Sequence, residues 1–444
     1  MKRGQVKISQ CMIVKNEEKN IEHALSWGAG VVSEQIVVDT GSTDRTIDIA
    51  RRMGAKVYEF PWIDDFSAAK NFAISKARYE WIAFLDADEY LAPEHGKKVL
   101  EYVEMLQDTE AESLLTAWVN LDNEGNVKDV GTQSRIFKRH LRYKGRIHEH
   151  LAVAEERLLQ VADVTEDVTI YHTGYGEREE KKKRGRNLKL ILLELDEHPD
   201  SYEMWGYLGQ EHMAREDWEQ AEEALKRAVT LIPLEGRGVY DITLSVTMLR
   251  LLQVLIHRKA DEAEILQVYG QATKDWPEEA DYDYLLARYF AGRGDFIRGE
   301  QHLKQGIGIL DTYGTACKSM VLAGEIRHAY ELLAVCCYNN QNLTDAIRYT
   351  AILLKEDPWL MSTLTLMLRT FSRDPAIASK GEGGAQQVVL LLEHDFYDFS
   401  SLKDRLFVFQ AAMASGYQEL VEVIGKRFTA EELAAVEQAL HIGN

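Results

Sequence analysis

The sequence lacks the features that would place it in or across a membrane. No apolar run reaches the ~18 residues a spanning helix needs, and the N-terminal MKRGQVKISQC has no signal-peptide h-region. Cysteine is scarce. Cys11, Cys317, Cys336 and Cys337 form no metal-ligand spacing, and the adjacent pair 336/337 lies in an apolar helical pattern that predicts buried free thiols. Positive charge is in deficit, 52 Lys and Arg against 72 Asp and Glu, for a net charge of −20. That balance argues against a general nucleic-acid binder, whose affinity rests on neutralising phosphates. GxGxxG and P-loop lysine motifs are missing too, which counts against a dinucleotide oxidoreductase or a P-loop ATPase. These absences leave a chain expected to be cytoplasmic, with the 45% hydrophobic and 28% charged composition of a globular protein. At 444 residues it is too long for one ordinary core.

Two halves have different periods. Up to about residue 176, β-rich runs alternate with helical ones. VKISQCMIV (6–14), EQIVVD (34–39), AKVYEF (55–60) and EWIAFLD (80–86) read as strands, with NEEKNIEHALSW, STDRTIDIARRMG and DFSAAKNFAISKA as helices between them. Ser42 or Thr43 is the expected cap of the second helix and Gly54 its stop. This alternation predicts βαβ units and a parallel sheet, with SLLTAWVN (113–120) and SRIFKR (134–139) as antiparallel additions.

From 177 onward the pattern is helical. A linking segment (177–198) leads into 199–375, where Pro199 and Pro233 stand 34 residues apart. Trp205, Leu208, Gly209, Trp218, Ala221, Leu225 and Ala228 fall on tetratricopeptide positions between them. The register returns at Leu286, Ala287, Phe296, Gly299 and Leu303, and again at Ala334, Leu343, Ala346 and Pro358. A more degenerate unit ends at Pro277. Residues 376–444 suit the helical cap such arrays need, with GEGGAQ (381–386) as a loop.

In an open parallel sheet, ligands bind beyond the carboxyl ends of the strands. Three strand ends carry polar groups there: MIVKNEE, IVVDTGSTD and AFLDADE. Asp86 and Asp88 are spaced to aim oxygens at one hard cation, whose shell phosphate and water would complete. A solvated turn is the bland alternative, and the position after a fourth strand favours the cation. Asp39 ends the second strand, where a carboxylate can accept from a base N–H or a ribose hydroxyl. Arg135, Lys138, Arg139, Arg142, Lys144 and Arg146, with Lys181, Lys182, Lys183, Arg184 and Arg186, read as an anion-facing rim, although most such residues are ordinary solvated surface. Within this rim, in RIHEH, Glu149 is a candidate general base, flanked by His148 and His150. His172 follows a β run and is a candidate third metal ligand.

MIVKNEEKNIEHAL, IVVDTGSTDRTIDIARRMGAKVYEFPW, DDFSAAKNFAISKARYEWIAFLDADE and RIHEH together resemble a family 2 glycosyltransferase of GT-A fold. More narrowly, the chain resembles the subgroup followed by tetratricopeptide repeats, which includes sublancin (glycocin)-type peptide S-glycosyltransferases. The resemblance implies an α/β Rossmann-like mixed sheet followed by an all-α repeat solenoid. It implies inversion at the anomeric carbon, a UDP-linked donor such as UDP-glucose, and Mg²⁺ or Mn²⁺. Carried over, Val14, Asn16 and Glu17 line the nucleotide pocket and Asp39 meets the uracil or ribose. Asp86 meets the ribose or a metal-bound water, Asp88 the metal, and His172 closes the metal or diphosphate site. Glu149 takes the place of the base, with His148 as the second catalytic candidate, and Arg135 and Arg186 face the nucleotide sugar. Lys70 stands where arginine is usual; it keeps the charge but loses the fork.

The repeats offer a concave groove for a peptide or protein acceptor. Glycan or lipid-linked acceptors are the alternative, as is a role for the helices in bracing the domain or forming a homodimer. Two rivals of another class are a scaffold with a decayed transferase domain and a nucleotidyltransferase. The first is opposed by the intact Asp39, Asp86, Asp88 and Glu149, and the second by the lack of a Gly-rich phosphate loop.

Overall fold

The computed structural model describes residues 6–122, 124–153, 157–173, 177–232, 242–314 and 319–432, with backbone alone for 177–184, 242–243 and 320. Pro233, Cys317, the glycine turn at 174–176 and the side chains of Lys181, Lys182, Lys183 and Arg184 lie outside the described residues. Two compact units result, Met1–Asp217 and Trp218–Asn444.

In the first unit, β1 (Ile8–Val14), β2 (Glu34–Asp39), β3 (Lys56–Glu59) and β4 (Trp81–Phe84) form a parallel block in the order β3-β2-β1-β4. The central strands β1 and β4 are buried on both faces and are largely apolar. Ile8, Trp81 and Ala83 pack with Val99 and Val103 of α4 (Pro93–Leu106), while Met12 and Val37 meet Ile21 and Leu25 of α1 (Ile21–Ser26) and Ile49 of α2 (Thr46–Arg52). The other face, with Cys11, Ile36, Val38, Ile82 and Phe84, packs on Ala73 and Ile74 of α3 (Phe66–Lys76). The antiparallel additions are β7 (Val127–Lys138) beside β4 and β6 (Ser113–Leu121) beside β7. β11 (Thr169–His172) then runs parallel to β6 and antiparallel to the short β5 (Glu89–Leu91), and β10 (Val161–Asp163) also pairs with β6. This last arrangement brings His172 into register with Glu89. A separate ribbon joins β8 (Arg142–Lys144) to β9 (His150–Ala152).

The expected caps of α2 are corrected. Ser42 Oγ accepts from the Asn16 N–H at 2.9 Å, and the Thr43 N–H donates to Asn16 Oδ1 at 2.8 Å. Both residues are spent on tying the β2 loop to the β1 loop, and the helix begins only at Thr46. Its stop is as expected: Gly54 has φ +86°, and its N–H and that of Ala55 bond back to Arg51 and Ala50.

Helices α5 (Glu177–Glu197) and α6 (Tyr202–Met213) complete the first unit. The second is helical throughout its described residues, from α7 (Trp218–Leu231) to α19 (Gln418–Gly425). One turn recurs. After α6, α8 (Ile242–His257), α10 (Asp281–Gly292) and α13 (Ile326–Asn339), a residue in the left-handed region ends the helix: Glu216, Lys259, Gly294 and Gln341. Each time the next N–H reaches back to close the last turn, as Asp217 to His212, Ala260 to Leu255, Asp295 to Phe290 and Asn342 to Cys337. Asp295 and Asn342 then cap α11 (Phe296–Tyr313) and α14 (Leu343–Glu356). The expected small residues are points of closest approach: a Cβ on Gly299 would stand 3.2 Å from Ala291 Cβ and from Cys336 Sγ. Burial pushes the Cys336 and Cys337 thiols up to about 12, and both are free.

GEGGAQ is not a loop. Gly381, at φ +52°, precedes α17 (Glu382–Asp395), and Gly384 lies in its first turn against the Ile377 carbonyl. Gly384 serves close approach, whereas Gly381 supplies the positive φ before the helix. Gly384→Ala would put a Cβ 2.1 Å from that carbonyl oxygen and is expected to cost about 2 kcal/mol or more. Gly308→Ala, inside α11 with nothing within 4 Å, is expected to stabilise by about 0.5–1 kcal/mol. Calorimetric melting of the two variants checks the opposite signs.

Candidate active site

The carboxyl ends of β1, β2 and β4 carry the polar residues of the site. Asp39, 4% exposed, accepts from the N–H groups of Gly41 (2.9 Å) and Ser42 (3.0 Å), and so shapes its own loop. Asn16 holds φ +59° and is fixed by its reciprocal bonds to Ser42 and Thr43. The Glu17 side chain accepts from Asn20 at 2.8 Å at the entry to α1. Val14 does not line an open pocket. It is 3% exposed within the core with Met12 and Ile21, and what it presents at the strand end is a carbonyl accepting from Thr40.

At the centre is Lys70. Ser67, Lys70 and Asn71 share one face of α3, and that face seats β8 and the loop after it. Ser67 Oγ donates to the Gly145 carbonyl, and Asn71 bonds both backbone groups of Tyr143. Lys70 Nζ lies 2.7 Å from Glu149 Oε1 and 3.3 Å from Asp86 Oδ1, above the Phe84 and Tyr143 rings, with its side chain 3% exposed. The other Asp86 oxygen meets Arg135 Nη2 at 2.9 Å, and Arg135 also holds Glu89 at 2.6 Å. Burial works against ionising Asp86, but Lys70 and Arg135 outweigh it and hold its carboxyl well below the usual range. Burial likewise opposes the Lys70 charge, and Asp86 and Glu149 outweigh it and raise its pKa.

Asp86 and Asp88 therefore divide. Asp86 turns to the two cations, whereas Asp88 Oδ2 lies 3.2 Å from His172 Nε2. The His172 ring stacks on Trp118 and places Nδ1 2.5 Å from Asn120 Oδ1. The Asn120 amide nitrogen is committed to both oxygens of Asp129, at 3.0 and 3.1 Å. Its oxygen consequently faces the ring and takes a proton from Nδ1. Nε2, at the other side of the ring, faces the Asp88 carboxylate. Among the described residues the only converged three-group cluster of metal-ligand type is elsewhere, at Glu300, Cys337 and Asp345, and Lys304 already neutralises its two acids.

Among the described residues of the expected basic rim, those of 135–146 mostly fold back on the chain. Arg135 is spent on carboxylates, Lys138 on the Thr109 carbonyl, Arg139 on that of Ala77, and Arg142 on the Arg139 and Leu141 carbonyls just before its strand. Arg146 is held by Glu194 and Glu197 of α5, and Lys144 is exposed. Charge runs do not reveal which arginines fold back on the chain. Arg186 stacks over Phe66 at 4.9 Å; burial lowers its pKa, and the Glu149 charge works the other way. His148 faces α6 rather than Glu149, and His150 lies in β9.

Three residues of the site went unread in the sequence. Glu89, 1% exposed, accepts from the Asp86 N–H (2.9 Å) and Trp118 Nε1 (3.0 Å) as well as Arg135. Its position three after Asp86, opening a strand, was the available signal. Asn120 orients His172 from a neighbouring strand and left no local signal. Tyr143 places a buried hydroxyl beside Lys70 with no hydrogen-bond partner among the described residues, and burial pushes its pKa up to about 12.

Residues 9–164, all within the first unit, match the family model of glycosyl transferase family 2. A TPR repeat-containing protein of Synechococcus elongatus is 31% identical over 232 residues, covering 50% of this chain and 56% of the relative. The SPbeta prophage-derived glycosyltransferase SunS of Bacillus subtilis is 26% identical over 280 residues, covering 62% of this chain and 64% of its own. The chain thus spans less than two thirds of either relative's length. Among solved structures, TarS of S. aureus overlaps 59% of this chain and 55% of its own at 16% identity, with a TM-score of 0.35, too loose to bear on function.

Lys70→Met leaves two carboxylates without their shared cation and is expected to cost about 3 kcal/mol at pH 7. The lowered pKa of Asp86 contributes stability that is present above the ordinary carboxylate value of about 4 and lost as the pH falls through the folded value. The deficit of the variant should therefore narrow below about pH 4. Urea unfolding at pH 7 and pH 3 measures it, and an equal deficit at both would count against this assignment.

Proposed function

We propose that this chain is an inverting glycosyltransferase. It would move a sugar from a nucleotide-diphosphate sugar, a UDP-hexose such as UDP-glucose, to a Cys, Ser or Thr side chain of a peptide or protein held by the helical repeats. One observation carries the reading: Glu149 lies a single ammonium away from Asp86, with Lys70 Nζ 2.7 Å from the one and 3.3 Å from the other. A carboxylate fixed across a cation from the donor-side turn is placed to accept a proton from an attacking nucleophile. The matched family domain supports the transfer, and two relatives whose names carry glycosyltransferase and TPR repeat support the pairing of the two halves.

The residues fit a hard divalent cation, Mg²⁺ or Mn²⁺. Asp86, Glu89 and Glu149 pair with the two buried cations Lys70 and Arg135, and His172 Nε2 lies 3.2 Å from Asp88. Asp88 and His172 would hold the ion, while Asp86 is kept beside it by Lys70 and Arg135. Bound there, the ion supplies Lewis-acid stabilisation of the charge on the leaving diphosphate. Asp39 keeps lone pairs beyond those used by Gly41 and Ser42 for a base N–H or a ribose hydroxyl. Asn16, fixed in its left-handed conformation, holds the β1 loop against the β2 loop beside it. Glu149 takes the acceptor proton as the nucleophile attacks C1 from the face opposite the leaving group, and a single displacement inverts the centre. Lys70 keeps that carboxylate aimed.

Asp88→Ala is expected to abolish the Mn²⁺-dependent heat of UDP-glucose titration and sugar transfer while far-UV circular dichroism is unchanged; near wild-type turnover would sink the assignment. Glu149→Gln is expected to cut turnover by about 10² or more with donor affinity preserved. Assays of UDP release across a panel of UDP-sugars, with mass spectrometry of candidate peptides, measure both.

A further inference from the structure

The residue before the candidate base is strained, and its ring is held from outside the sheet. His148 has φ +52°, a conformation a non-glycine residue keeps only when its surroundings fix it. Its imidazole lies flat on Tyr207 of α6, with ring centroids 3.6 Å apart and planes 6° from parallel. The rest of the loop is held from two sides. From α3, Ser67 Oγ donates to the Gly145 carbonyl and the Phe66 N–H to that of Arg146. From α5, Glu194 accepts the Arg146 N–H at 2.9 Å, and Glu197 pairs with its guanidinium. Lys70 then fixes the carboxylate of Glu149 itself.

The φ of His148 sets the direction in which the chain leaves toward Glu149. A switch to the extended region would rotate the following peptide and swing the Glu149 side chain off Lys70. We infer that Tyr207 is a positioning residue: its ring holds His148 in the left-handed conformation and thereby aims the Glu149 carboxylate at the acceptor side of the site. The inference rests on Glu149 as the base. It gives α6, whose sequence reads as the first helix of the repeats, a part in catalysis that needs no contact with either substrate.

The test compares Tyr207→Ala with Tyr207→Phe, which keeps the stack and controls for folding, using UDP-glucose and Mn²⁺. The alanine variant should lose ~10-fold or more in kcat for UDP release, as expected for a misplaced catalytic group, with the dissociation constant for UDP-glucose within about twofold of wild type. Phenylalanine should restore kcat. Independently of activity, the His148 ring proton, assigned by its loss in His148→Ala, should leave its ring-current-shifted NMR position in Tyr207→Ala and keep it in Tyr207→Phe. Unchanged kcat in Tyr207→Ala while Glu149→Gln is inactive would overturn the positioning role alone. A parallel loss of donor affinity, or an unmoved His148 resonance, would also overturn it. Full turnover in Glu149→Gln would instead remove the base assignment, and with it the basis of this inference.

Discussion

A buried ammonium must be paired or it costs more than a small domain can spare. The N-terminal unit is organised around that requirement. Lys70, 3% exposed on its side chain, stands between Asp86 and Glu149, which come from loops more than sixty residues apart in the chain. Because α3 is fixed against the sheet by Ala73 and Ile74, the ammonium has a fixed position, and both carboxylates are located by it. The resemblance led to arginine here, and the geometry explains why lysine works. A point charge satisfies two carboxylates on different sides at 2.7 and 3.3 Å over two aromatic faces, an arrangement with no use for a planar fork.

The network continues through Asp86 to Arg135 and Glu89, so that three carboxylates alternate with two cations. The alternation pairs each of these carboxylates with a cation, and it leaves Asp88 outside. Asp88 instead meets His172, whose ring is held from its other side by Asn120. One D-x-D pair thus has two surroundings: the first acid is held by a lysine and an arginine, the second by a histidine.

The sheet, its parallel block and the strand-end position of Asp39, Asp86 and Asp88 were legible in the sequence, because strands buried on both faces write continuous apolar runs and polar residues stop them. Pairing was not legible. The basic run 135–146 carries the same charges whether they face a ligand or fold back on Glu89, Thr109, Ala77 and Glu194, and only tertiary geometry decides. Ser42 and Thr43 looked like caps because cap residues and loop-tying residues are the same types. GEGGAQ looked like a loop because a glycine needed for close approach and one needed for chain freedom have the same letter. Glu89 was hidden by its neighbours, since a third acid beside two others reads as solvated surface.

The same backbone outlier has two origins in this chain. In the helical part, Glu216, Lys259 and Gln341 adopt positive φ where helices stop, and the compensation is local: N–H groups a residue or two away close the helix end. In the sheet part, Asn16, Asp64 and His148 adopt it in loops, and each has a support distant in sequence. Asn16 is held by Ser42 and Thr43, Asp64 by Lys189 at 2.6 Å, and His148 by Tyr207. Local compensation travels with any sequence that ends a helix, whereas distant compensation exists only when the whole unit is folded. Strain of the second kind therefore ties the geometry of the site to the completeness of the fold. Two of its three supports come from α5 and α6, so the helices that follow the sheet domain are part of what shapes the loops around Lys70.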